Sequence, residues 1–252
     1  MKVIKLLVAP DYSPEVYIDW RLLTYMLQNE LNRDVVLLTP ENHEEFDSLL
    51  QEHRPELVYA NPFDVIELTE KYHYEAFMKP KEVSDEIILF SSIYSEIKTL
   101  EDLPKPLDMV SLSNKELTLV SQLLLEAVDF SPKDICWHYV GHLPAVMRKV
   151  GGLDIGVGAV YADYFYGLSP SRQSEYRILI ESRLEVLHHV FLIHESSIDY
   201  AKAIQKIFLF LSEQPKYQRV FHNLGWHHGL AWVDDDESQF FLDILRTLNQ
   251  NA

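Results

Sequence analysis

Glu56-Leu57-Val58-Tyr59-Ala60-Asn61-Pro62-Phe63-Asp64 reads as a buried strand turning directly into a helix. Residues 57–60 form an apolar run too short for a helix, and Arg54-Pro55 precede them, so a strand is expected. Asn61 then suits the N-cap, Pro62 the first helical position and Asp64 the first turn. A helix that begins at the C-terminal end of a parallel strand aims unpaired backbone N–H groups outward, where small ligands bind.

The same device recurs on either side. Residues 2–9 read as a first strand, followed by Ser13 as N-cap, Pro14 at the first helical position and Glu15 beside it. Val16, Leu23, Met26, Leu27 and Leu31 then fall at helical spacing. Residues 34–38 are a second strand; Asn42 caps the next helix and Glu45 completes a capping box. The first eighty or so residues therefore read β-α-β-α-β-α, the order of a parallel sheet with helical crossovers.

From Glu86 a second β/α set begins, with strands expected at 87–92, 107–112, 137–140 and 153–160 and helix starts near Ser113 and Gly141. Residues 176–180 and 189–193 are the last strands expected, and helices follow at about 198–211, 214–224 and 236–248. Asp234-Asp235-Asp236-Glu237 sits at a helix start, where acidic residues complement the helix dipole. Trp226 and Trp232 are expected to pack the terminal helix against the first lobe.

With 252 residues the chain is near the size at which one core divides into two. Its formal net charge of −17 disfavours nucleic acid and anionic membrane surfaces, though local N–H groups and a cation can still hold a small anion. A single cysteine, Cys136, excludes an intrachain disulfide and thiolate metal clusters. No stretch is long and apolar enough to span a membrane, and Met1-Lys2-Val3-Ile4-Lys5 runs into a strand without the features of a secretion signal. The sequence as it stands implies a cytoplasmic protein, or a periplasmic one if Met1 stands where a leader was trimmed.

Residues 57–65, the segment Ile97-Lys98-Thr99-Leu100-Glu101-Asp102-Leu103, and Gly141-His142-Leu143-Pro144-Ala145-Val146 followed by 153–161 carry a resemblance. In their order and spacing they resemble the phosphate, phosphite and phosphonate-binding family of ABC importers, within the type 2 periplasmic binding proteins. The likeness covers roughly residues 1–230. It implies an α/β, two-lobe type 2 fold, each lobe a mostly parallel sheet flanked by helices, joined by two crossover strands near 83–89 and 187–191. Lobe one would be 1–85 plus 190–252 and lobe two 86–189, with the ligand enclosed in the cleft.

Carried over residue by residue, the resemblance places Tyr12, Asn61, Phe63, Ser113, Asn114, Lys115, His142, Tyr161 and Asp163 at the ligand. His142 is either a hydrogen-bond donor to the ligand or a histidine held by backbone, and Asp163 either a ligand acid or a helix cap. One departure stands out: the family's Ser-Ser-Thr-Ser-Gly anion loop is here Ser113-Asn114-Lys115-Glu116-Leu117. Ser113 with Glu116 matches a capping box, and a carboxylate there competes with a phosphonate for the same N–H donors.

The favoured reading is a monomeric, non-enzymatic solute-binding protein for a small polar, anionic or zwitterionic ligand, serving an ABC permease or a signalling partner. No cofactor and no metal is expected; the eleven histidines lack converging ligand geometry. The alternatives are an enzyme on the same fold, of the menaquinone- or thiamine-precursor type, and a regulatory protein with a degenerate cleft.

Overall fold

The computed structural model describes residues 3–10, 16–184 and 187–250. The chain falls into two compact units. The first holds the residues up to Val83 together with His188–Leu245, and the second holds Ser84–Leu187 with the chain end from Arg246.

The first unit opens with β1 (Ile4–Val8), α1 (Tyr17–Leu31), β2 (Val35–Leu38), α2 (His43–His53), β3 (Leu57–Ala60), α3 (Pro62–Glu70) and β4 (Tyr74–Pro80). All four β3 residues are buried, as its apolar run requires. The second unit follows with β5 (Ile87–Ser92), β6 (Leu107–Leu112), α4 (Lys115–Glu126), β7 (Ile135–Val140), α5 (Leu143–Gly151), β8 (Val157–Tyr161), α6 (Ala162–Tyr166), α7 (Pro170–Gln173) and β9 (Tyr176–Glu181). The chain then re-enters the first unit with β10 (Val190–His194), α8 (Ala201–Glu213), α9 (Gln218–Asn223), β11 (Leu230–Trp232) and the greater part of α10 (Asp235–Gln250).

The first sheet runs β11-β4-β10-β3-β1-β2 and the second β7-β6-β8-β5-β9. Strands β1, β2 and β3 pair in parallel, as do β6 with β7 and β8. The exceptions inside the sheets share one cause. The strand on which the chain enters each unit, β5 or β10, inserts antiparallel between two strands of its sheet. Each sheet is thus a parallel α/β layer with a reversed interior strand, and the first also carries the antiparallel edge strand β11.

Each unit has its own core. In the first, Trp20, Tyr59, Phe191 and Trp226 interlock, with Trp20 and Tyr59 rings 5.1 Å apart and the Trp226 indole N–H donating to the Tyr59 hydroxyl at 3.1 Å. In the second, Phe90, Val110, Val150, Val160 and Phe165 pack together. Gly158 on β8 permits this: a Cβ there would stand 2.7 Å from the Phe90 ring and 2.9 Å from Val150.

The structure corrects several local expectations. Trp232 is 61% exposed, whereas Trp226 is core. Strand β4 and the three-residue β11 were not expected, because their pairing partner or register lies far away in sequence. The strand expected at 153–160 begins only at Val157, since the chain after α5 turns through Leu153 at φ 61°. Asn42 does cap α2 through the Glu45 amide, but the Glu45 carboxylate takes the Glu41 N–H instead of closing a box on Asn42. The helix entry expected at Ser13, Pro14 and Glu15 lies outside the described residues.

Candidate functional site

In the first unit, Asn61 is the N-cap of α3. Its side-chain oxygen accepts from the Phe63 N–H at 3.0 Å, its carbonyl from Asp64 N–H at 3.1 Å, and Pro62 stands at the helix start. Asn61 is 2% exposed and Phe63 is also buried. Asp64 lies 3.7 Å from the His43 ring nitrogen. Just ahead of β10, His189 stacks on the Tyr59 ring with centroids 5.5 Å apart. Tyr12 lies outside the described residues.

In the second unit, the C-terminal ends of β7, β6 and β8 lie side by side, and each leads directly into a helix. Parallel strands followed by helices place those three helix starts at one end of the sheet. At β7, His142 caps α5: its Nδ1 accepts from the Ala145 N–H at 3.1 Å, which leaves Nε2 as the donor of a neutral imidazole. At β8, Tyr161 stands just before α6 and Asp163 in the first turn of that helix, exposed.

At β6 the arrangement differs from the capping box expected of Ser113 and Glu116. Asn114, not Ser113, is the N-cap of α4, accepting from the Leu117 N–H at 3.1 Å. Helical numbering therefore begins at Lys115, and Glu116 falls at the second helical position, one short of the place from which it would close a box. Instead its side chain turns inward. Glu116 is 0% exposed, and the Tyr161 hydroxyl donates to its Oε2 at 3.1 Å. Ser113 and Lys115 remain exposed. The structure thus joins α4 to the end of β8 through a carboxylate that sequence reading treated as a cap and a competitor for the helix N–H groups. The signal available was Asn114 itself, as good a cap candidate as Ser113, whose use moves Glu116 out of register.

Two described cavities are lined by none of these residues. One, about 570 Å³, is lined by Arg54, Lys71, Tyr72, His73, Tyr74 and His194. The other, about 390 Å³, lies against Met147, Arg148, Tyr164, Arg172 and Tyr176. Among the described residues no group of three or more His, Cys, Asp or Glu side chains is arranged to hold a metal, and no helix is long and apolar enough to cross a membrane.

Residues 6–238 match the family described as "ABC transporter, phosphonate, periplasmic substrate-binding protein". The chain belongs to that family. Among solved structures it is similar to XAC2383 from Xanthomonas citri bound to ATP, with a TM-score of 0.80, 15% identity and full coverage of both chains. PhnD1 from Prochlorococcus marinus in complex with methylphosphonate gives a TM-score of 0.79 at 15% identity, covering 99% of each chain. The aliphatic sulphonate binding protein SsuA from Escherichia coli gives 0.70 at 12% identity, covering 100% of this chain and 88% of that one. No curated protein sequence matches significantly. As a member of this family the chain is a substrate-binding component of ABC transport with the type 2 two-lobe α/β fold, in a family that binds its substrate without being an enzyme.

Proposed function

We propose that this substrate-binding protein works in the periplasm and hands a small polar organic solute to an ABC permease, without chemical turnover. The observation that carries this reading is the family match across residues 6–238, to which the repeated strand-to-helix starts add a means of holding polar ligand atoms. The ligand residues we assign are Asn61 and Phe63 in the first unit and Ser113, Asn114, Lys115, His142, Tyr161 and Asp163 in the second, with Tyr12 as a further candidate. His142 offers an Nε2–H donor, Lys115 a point charge, and Phe63 an apolar surface. Asn61 and Asn114 fix the helix starts around them. The Xanthomonas citri relative was captured with ATP, so phosphonates do not exhaust the ligands of this fold.

Calorimetry and thermal melts against phosphate, methylphosphonate, alkanesulfonates, primary amines and ATP test the reading. One class is expected to give saturable heat and a raised melting temperature, and the solute is recovered unchanged by NMR. His142→Ala is expected to weaken that binding about tenfold or more, the scale of one lost hydrogen bond to a charged group. Absence of saturable binding by every class, or conversion of the solute, would overturn it.

A further inference from the structure

Glu116 is a fully buried carboxylate at the second position of α4, where the N–H groups of the first turn point away from the helix and the dipole favours a negative charge. Its Oε2 receives the Tyr161 hydroxyl, and Tyr161 stands on the strand next to β6 in the sheet. Asn114 already takes the Leu117 N–H. The helix end that would serve an incoming oxyanion is therefore furnished with one acceptor and one carboxylate from the chain itself. A second anion at that end would meet the charge of Glu116 at short range, in surroundings too buried for water to screen it.

We propose that Glu116 is the resident anion of α4, held by Tyr161, and that it is the residue setting ligand choice against phosphonate and phosphate dianions in this phosphonate-family protein. The inference rests on the solute-binding reading above and deepens it. The pair acts by occupancy and charge; no ligand contact by Glu116 is needed.

The test is calorimetry with methylphosphonate on the wild-type chain, E116Q and E116S, each first shown to be folded by circular dichroism. Glu116→Gln keeps the volume and an acceptor for Tyr161 while removing the charge; Glu116→Ser also frees space. Wild type is expected to give no saturable heat at millimolar methylphosphonate. E116Q is expected to bind at least about tenfold more tightly than wild type, and E116S more tightly still. Wild-type affinity equal to that of E116Q overturns the proposal, as does failure of both folded variants to gain binding. Should neither variant fold, submillimolar binding of methylphosphonate by wild type overturns it and its absence upholds it. A wild-type chain that binds another solute class while these variants gain nothing sinks only the role of Glu116; a wild-type chain that binds no class at all sinks the solute-binding reading.

Discussion

Replacing Asn61 by Ala removes the acceptor for the Phe63 amide at a position that is 2% exposed, where water replaces it poorly. We expect a loss of about 1–2 kcal/mol in urea denaturation, the upper part of the range for N-cap removal. Gly158→Ala is expected to cost about 1–3 kcal/mol, because its methyl meets both the Phe90 ring and Val150 inside a filled core. Both effects follow from single residues, yet only one was legible. Asn61 declares its role through its neighbours, apolar run before and Pro62 after. Gly158 declares nothing, since the ring that crowds it comes from a strand far away in sequence. Glu116 belongs with Gly158: which way its carboxylate turned depended on a one-residue shift of the cap and on a tyrosine 45 positions later.

At the scale of elements, strands β3 and β6 and the helix starts at Asn61 and His142 could be read from the chain, because each is specified by local periodicity and a cap. Strand β4 could not. Its Glu75, Ala76 and Lys79 speak weakly for a strand, and its hydrogen-bond partner β10 arrives only after the second unit. The segment Ile97-Lys98-Thr99-Leu100-Glu101-Asp102-Leu103 now has a physical content: residues Leu100–Asp102 form a single 3-10 turn closed by a capping box between Thr99 and Asp102. The N–H groups of Lys98 and Thr99 both donate to Asp102, and these bonds hold its carboxyl below the usual aspartate range. A pKa depressed in the folded state stabilises the turn above the unfolded value, ~3.9, and that contribution fades as pH falls through the lower folded value. NMR titration is expected to find Asp102 deprotonating below ~3.9. Asp102→Asn is expected to leave the turn without that acid dependence.

For the molecule as a whole, the charge of −17 repels itself across both units. Raising ionic strength from ~0.01 M to ~0.15 M shortens the screening length from ~30 to ~8 Å, so the melting temperature is expected to rise. The described surface ion pairs, such as Lys71–Glu67 and Arg172–Glu175, are exposed and too weak to reverse that sign. A falling melting temperature would show that attractive pairs dominate instead. A bound solute at a hundredfold excess over its dissociation constant adds about 2.7 kcal/mol, which makes the same melt a usable screen.

The reversed strands β5 and β10 have a consequence for how the chain is made. On the ribosome β3 and β4 emerge early, but neither is hydrogen-bonded to the other; each waits for β10, beginning at Val190, to slide between them. Throughout synthesis of the intervening segment the nascent first sheet carries two open edges, one of them the wholly apolar Leu57–Ala60. Such edges invite pairing with other chains, and closing them requires a loop of more than a hundred residues, which slows folding. This architecture thus gives holding chaperones a natural substrate: a half-built layer whose missing stave is delivered only after the whole second unit.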